Sequence, residues 1–429
     1  MDACRCYAPC HPGLLAAKIR MGCVNIRYGA GAGLVIALLC MGLLSGCAQT
    51  HSTLRYEVAS ITPGAQRVVW PPAPEIPRYR YVGELTGEDN IHHDDSGIAG
   101  AGVKALKWLV GLLSEKNPAI ILQRPQAGAV DNNGRIYVTD VSRQAVYVFD
   151  EKKGDLQVWE MAEENVRFEI PIGIAVGVNG EILVADAALG QVFRLNSAGV
   201  PVGSFGKGLL KHPTGVARDA LHGRVYVADT HLHQIRVFDD VGNVLATFGA
   251  GQRSEAPGEF NSPTHLAFAD GKLYVADTLN ARVQVLAVID PAPAPGIQPG
   301  LAIMDPAPGG QPGLAGASPA GSVIAPRSGL EAKVLQVFGR RGLFVGDLTR
   351  PKGVTVDATG NIYVIESYYD HLLVFNSQGE FLLPIGGGGS GTGQFVLPAG
   401  VWSDQRGRIY VADMFNGRVV VFEYLGEGA

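Results

Sequence analysis

The side chains most able to do chemistry in this 429-residue chain recur at fixed places. Asp140, Asp186, Asp229, Asp277, Glu366 and Asp413 close the segments RIYVTD, EILVAD, RVYVAD, KLYVAD, NIYVIE and RIYVAD. A carboxylate where a strand passes into a loop accepts backbone N–H groups and fixes the turn. The same acid at the same junction therefore points to framework. Among the histidines, His231 and His233 share the loop after Asp229, His212 precedes Pro213, and His265 stands on another segment. A zinc centre needs three or more convergent ligands and an open position. Asn280, Arg282, Asn416 and Arg418 lie in two equivalent loops, 278–282 and 414–418, and with His265, His231 and His233 form the candidate binding set. From residue 47 onward there is no Gly-x-Ser-x-Gly elbow, phosphate loop, Cys-x-x-Cys-His or calcium loop. No catalytic residue, metal ligand set or cofactor is assigned.

The six cysteines, Cys4, Cys6, Cys10, Cys23, Cys40 and Cys47, all precede residue 48, so none can staple the later chain. Lys18, Arg20 and Arg27 lead into an apolar run at 33–44, which is the layout of a secretory signal. The run falls short of the roughly 20 residues of a comfortable membrane span. It ends in Leu44-Ser45-Gly46-Cys47, which resembles a bacterial lipobox. That resemblance implies a diacylglyceryl group on the Cys47 sulfur and cleavage just before it. Residues 1–46 are then a lipoprotein signal peptide, with Met21 an alternative translation start. Two or more acyl chains, palmitate among them, anchor stably where one is marginal. Ala48 in place of Asp favours the outer membrane of the cell envelope. The formal net charge of -5 supplies no general basic surface, so nucleic acid is not an expected partner.

These residues must be held by something, and the chain shows what when aligned on itself. A unit of Pro, apolar strand, turn, Ile/Leu-Tyr-Val-Ala-Asp, short loop and Val-x-Val-Phe starts at Pro125, Pro171, Pro213, Pro263, Pro351 and Pro398. Alternating β-branched and aromatic residues between turns such as Asn132-Asn133-Gly134 specify strands joined by hairpins. Gly173, Gly215, Gly353 and Gly400, with Ala127 in the first unit, are small where inner strands would crowd an axis. A fourth strand follows, as in 202–206, 245–249, 335–339 and 382–386. The sixth unit lacks it, and 79–85 has the matching character. Pairing the two would close a ring without open edges.

The repeated Pro-x-Gly-Val-Ala-Val, Ile-Tyr-Val-Ala-Asp and Arg-Val-x-Val-Phe elements resemble the NHL-repeat family across about 79–424, with Glu366 for Asp and His265 for Gly as departures. The resemblance implies an all-β, six-bladed β-propeller of four-stranded blades, the last closed by an N-terminal strand. One NHL-like enzyme class, the peptidyl-hydroxyglycine lyases, holds zinc with histidines around the axis, and only His265 aligns with an axis-facing position here. Propellers host both binding modules and enzymes.

Outside the repeats, 47–77 is polar with a Pro-rich end and reads as a stalk. The propeller occupies 78–429, with two inserts. Apolar residues on one helical face predict a helix at about 98–116, and Pro/Gly-rich composition predicts a disordered loop at about 287–330. The expected function is a membrane-anchored envelope lipoprotein whose non-catalytic propeller binds a protein or polymer. The alternative is a metal-dependent lyase or lactonase in the axial funnel.

Overall fold

The computed structural model describes residues 52–56, 68–93, 120–290 and 329–426. Among the described residues the regular structure is β-strand, with a few single-turn 3-10 segments and no α-helix. Six antiparallel blades span 125–159, 171–205, 213–248, 263–338, 351–386 and 401–424, each starting at its inner strand. The inner strands follow one another around the axis, and the sixth returns to the first.

The alternation within each second strand explains the assembly, because both faces of a blade are covered by neighbours and successive residues serve opposite sides. In Arg224–Asp229, Val225 and Val227 pack with Leu183 and Val192 of the second blade. Tyr226 and Ala228 turn the other way, towards Leu266 and Val275 of the fourth. Arg408–Asp413 repeats this, with Ile409 and Val411 facing the fifth blade and Tyr410 and Ala412 facing the first. Close approach at the axis is what the small residues permit. A Cβ on Gly173 would lie 2.6 Å from the Thr214 carbonyl oxygen, and one on Gly215 would lie 2.8 Å from that of Thr264.

Threonines latch successive blades where they meet. Thr139 Oγ1 donates to Ile172 O at 2.7 Å, Thr230 Oγ1 to Pro263 O at 2.8 Å and Thr278 Oγ1 to Pro351 O at 2.7 Å.

The ring closes as its pattern requires. Tyr79–Leu85 pairs with Arg418–Tyr424 from Leu85↔Val419 to Tyr79↔Tyr424, and both Tyr79 and Leu85 are buried. The Tyr79 hydroxyl lies 3.1 Å from that of Tyr363, which donates to Asp357 at 2.6 Å. The closing strand is therefore bonded to the fifth blade as well as the sixth.

Two boundaries differ from the sequence reading. The stretch 47–77 is not wholly a stalk: Val69–Trp70 adds a strand beside Tyr79–Leu85, and the Trp70 ring stands edge-on to Phe422 at 5.3 Å. Ser52–Leu54 pairs with Ile91–His93, and Tyr56 bonds Glu151 and lies under Arg408. Apolar and aromatic residues there find partners on the propeller, which a composition-based reading of a polar segment misses. The second insert is also narrower, since the third strand of its blade runs to Ile289 and pairs with Glu331 of the fourth. Cys47, the expected helix at about 98–116 and residues 291–328 lie outside the described residues.

Candidate functional site

In every blade the loop from the second to the third strand lies at the same end of the ring as the loop leading into the next inner strand, because all six sheets run antiparallel in the same order. The recurrent acids sit beneath this loop face and hold it. Asp186 accepts the amides of Glu169 and Ile170, on the incoming loop, at 2.7 and 3.0 Å, and those of Ala188 and Leu189, on its own loop, at 3.0 Å. Asp140 does the same for Gln123, Arg124, Ser142 and Arg143. Asp229 takes Lys211, His212 and Leu232, and Glu366, one methylene longer, takes Thr349, Arg350 and Tyr368.

In the fourth and sixth blades side chains replace part of this pattern, and these are the residues that the loop spacing nominates for binding. Asp277 accepts from Asn280 Nδ2 at 2.8 Å and Arg282 Nε at 2.7 Å, while the other guanidinium nitrogens of Arg282 donate to the carbonyls of Glu255, Ala256 and Glu259. Asp413 accepts from Asn416 Nδ2 at 2.7 Å and Arg418 Nε at 2.9 Å, and Arg418 continues to Glu84, Gly391 and Gln394. All four residues are thus bonded into the loop framework, and Arg418 ties the closing strand to it. Burial raises the pKa of Asp277 and Asp413 against these hydrogen bonds and cations.

The histidines fall into two places. His212 and His231 stack at 4.6 Å across adjacent loops, and His233 Nδ1 accepts the Ser262 amide at 2.9 Å. Burial, and then the neighbouring His231, lowers the pKa of His212, and burial followed by Arg253 and His231 lowers that of His233. His265 is on the inner strand Pro263–Ala269, half-buried, with Nδ1 3.1 Å from Val354 O of the next blade. Burial pushes its pKa down to about 4, so the ring is neutral at physiological pH. It lines the axial channel beside Arg218, Trp402 and Ser403. The two histidine places do not merge, and among the described residues no three His, Cys, Asp or Glu side chains are grouped to hold a metal ion.

What the sequence reading passed over is the axial mouth on the loop face. A cavity of about 240 Å³ opens between the fourth, fifth and sixth blades, walled by Thr264, Thr278, Arg350, Lys352, Ser367, Tyr368, Leu397 and Met414. Burial lowers the pKa of Lys352, and the neighbouring Arg124 and Arg350 lower it further. Around the mouth Tyr368 is 60% and Phe415 55% exposed, and Leu343 and Phe344 of the neighbouring loop are 85% and 78% exposed. Lys352 fills the variable position of Pro-x-Gly, and Arg124 and Arg350 each precede the Pro of their blades, so all three were visible as cations at repeat positions that approach the axis.

The opposite face carries a wider cavity of about 740 Å³, walled by the hairpins that leave the inner strands. Its acids are also structural. Asp131, Asp357 and Asp404 each accept two amides of their own turn and the hydroxyl of the Tyr in the next strand, Tyr137 at 3.0 Å, Tyr363 at 2.6 Å and Tyr410 at 3.0 Å. Burial opposes ionisation of Asp131, but the bonds from Arg135 and Tyr137 outweigh it and leave its carboxyl below the usual range.

Comparison with known proteins agrees with this architecture. Residues 351–427 match a family described as a 6-bladed beta-propeller. The chain is similar to the protein brain tumor of Drosophila melanogaster, 31% identical over 30% of this chain and 13% of that protein. It is 37% identical to NHL repeat-containing protein 2 of Bos taurus over 18% of this chain and 12% of that one. It is 32% identical to peptidyl-glycine alpha-amidating monooxygenase B of Xenopus laevis over 47% of this chain and 25% of that one. The aligned region is thus at most a quarter of each of these relatives.

Proposed function

Starting from a chain that is an NHL-repeat six-bladed β-propeller, we propose that it is a lipid-anchored protein of the bacterial cell envelope whose loop face captures a protein or polymer. The observation that carries this reading is the character of that face. Exposed aromatic and aliphatic side chains, Phe344, Tyr368 and Phe415 among them, cluster on loops that buried carboxylates hold rigid. Exposed apolar side chains on a preorganised scaffold suit an interaction site, because little conformational entropy is lost on association. Asn280, Arg282, Asn416 and Arg418 support such a site by fixing loop shape from below. His231 and His233 lie on the same face and contribute at its edge.

The anchor is the lipobox at Cys47, and the outer membrane is the proposed location. Intact mass and membrane fractionation test it: Cys47 emerges as an acylated N-terminus, and Cys47→Ser yields a soluble or unprocessed form. A mature, unacylated protein retaining residues 1–46 would overturn the anchor. Capture is tested with Tyr368→Ser and Phe415→Ser together, which lose partner binding with an unchanged unfolding midpoint. Retained binding would overturn the choice of face.

The likeness of part of the chain to a probable peptidyl-alpha-hydroxyglycine alpha-amidating lyase of Caenorhabditis elegans supports a metal-dependent lyase or lactonase as the second reading. It requires further ligands to join His265, whose Nδ1 is already beside the Val354 backbone.

A further inference from the structure

We propose that the axial mouth is a pocket for the carboxylate of a short organic anion or of a polypeptide C-terminus; this deepens the reading of the loop face as the capture surface and rests on it. The case begins with charge. Lys352 and Arg350 both wall this cavity in a chain of net charge -5, so their meeting is not a by-product of basic composition, and Arg124, its guanidinium over the Phe415 ring at 5.2 Å, is close enough to lower the pKa of Lys352. Among the described residues none of the three has a salt bridge. Among the described residues, the carboxylates around them turn their oxygens to the loop framework and form no ion pair with these cations. Glu366 is near enough to Arg350 to be affected by it, but its oxygens already take the amides of Thr349, Arg350 and Tyr368. Asp140 is occupied by four amides, Asp413 by Val396, Asn416 and Arg418, and Asp370 by the Leu397 amide. A half-buried ammonium that shares a cavity with the Arg350 guanidinium is a costly arrangement, and an entering anion relieves it.

The walls choose among anions. Phosphate is typically cradled by several backbone N–H groups. Here several bordering amides are already spent: Ser367 donates to Arg350 O, Tyr368 to Glu366 and Leu397 to Asp370. Side-chain cations remain, together with the apolar surfaces of Leu397, Met414 and the Tyr368 ring. About 240 Å³ accommodates a carboxylate with a short apolar neighbour and little more. A planar carboxylate also suits bidentate pairing with a guanidinium.

Calorimetry and thermal unfolding of the full chain with four probes test this: butyrate, an N-acetylated dipeptide ending in leucine, its C-terminal amide, and inorganic phosphate. The two carboxylates are expected to bind and raise the unfolding midpoint, and the amide and phosphate to have little effect. Lys352→Met weakens carboxylate binding by about tenfold or more without lowering the midpoint of the free protein, since it removes a desolvated charge. Lys333→Met, on an outer strand, changes neither. Binding of the free acid alone assigns a small-molecule ligand, and stronger binding of the dipeptide assigns a chain terminus. Equal binding by Lys352→Met, equal binding of the amide, or preference for phosphate would each overturn the pocket. Failure of the Tyr368/Phe415 pair to affect capture, with carboxylate binding intact, would instead remove the loop-face reading and leave the pocket standing.

Discussion

Replacing Asp186 by Ala removes one carboxylate from the loop face and should cost far more than its size suggests. The residue is fully buried and accepts four backbone amides, two from the loop entering its blade and two from the loop leaving its own strand. A hydrogen bond to a charged acceptor contributes about 1.5–3 kcal/mol net. Four would give an implausible total, because Glu169, Ile170 and Ala188 are exposed and water can replace part of what is lost. A loss of about 2–4 kcal/mol remains for Asp186→Ala. Asp186→Asn keeps one acceptor oxygen and turns an NH₂ towards amides, so about half that loss is expected. Urea unfolding followed by tryptophan fluorescence measures both variants, with Glu164→Ala, on the exposed surface, as the reference. Native-state hydrogen exchange adds location, since the amides of Ile170 and Leu189 should exchange faster while those of the fifth blade do not. A midpoint for Asp186→Ala within error of Glu164→Ala would refute the idea that the repeated acids build the face.

Starting the chain at residue 101 removes the closing strand and exposes Arg418–Tyr424 as an edge; losing Tyr79, Leu85 and Trp70 should cost about 5 kcal/mol or more and produce aggregation, as seen by light scattering. Starting at residue 78 spares that strand but loses the Trp70 and Tyr56 contacts, so a fall of about 2 kcal/mol is expected in place of the neutral outcome a free stalk would give. Replacing 291–328 by a two-residue turn should leave the unfolding midpoint unchanged or raise stability by up to about 2 kcal/mol, since Ile289 and Glu331 are already paired; a fall would mean that the segment packs on the propeller. His265 has a folded pKa near 4 against an ordinary 6.5, so the unfolded chain binds its proton first as pH drops. Stability should therefore fall from pH 6.5 towards 4 by up to about 3 kcal/mol, less whatever channel water screens, and His265→Asn should flatten that slope in urea titrations.

The blades were legible because period-two alternation and the acid ending each second strand repeat six times in order, and the small residue two places after Pro recurs in five of the six units. Even the closing strand could be read, since Arg418–Tyr424 had no outer partner in its own repeat and 79–85 carried the missing pattern. Arg282 and Arg418 were harder. Their carbonyl acceptors, Glu255, Ala256 and Glu259 in one case and Gly391 and Gln394 in the other, lie on loops about 25 residues away with no periodic signal. A loop arginine seen without those acceptors looks like a solvated, ligand-facing cation. Trp70 was obscured by its proline-rich surroundings, although an isolated Trp in a polar stretch is a cue that something covers it. Lys352 was missed because the variable position of a repeat attracts less notice than its neighbours, yet here it borders the mouth of the axis.

The most direct test of the account is site-specific photo-crosslinking in intact cells, with the reactive residue placed at Phe415 on the loop face or at Leu221, 86% exposed on the opposite hairpin face. Capture by the loop face predicts a discrete adduct of constant mass from position 415, absent from 221 and reduced by Tyr368→Ser. Adducts of the same pattern from both positions, or a discrete adduct from 221 alone, would contradict it.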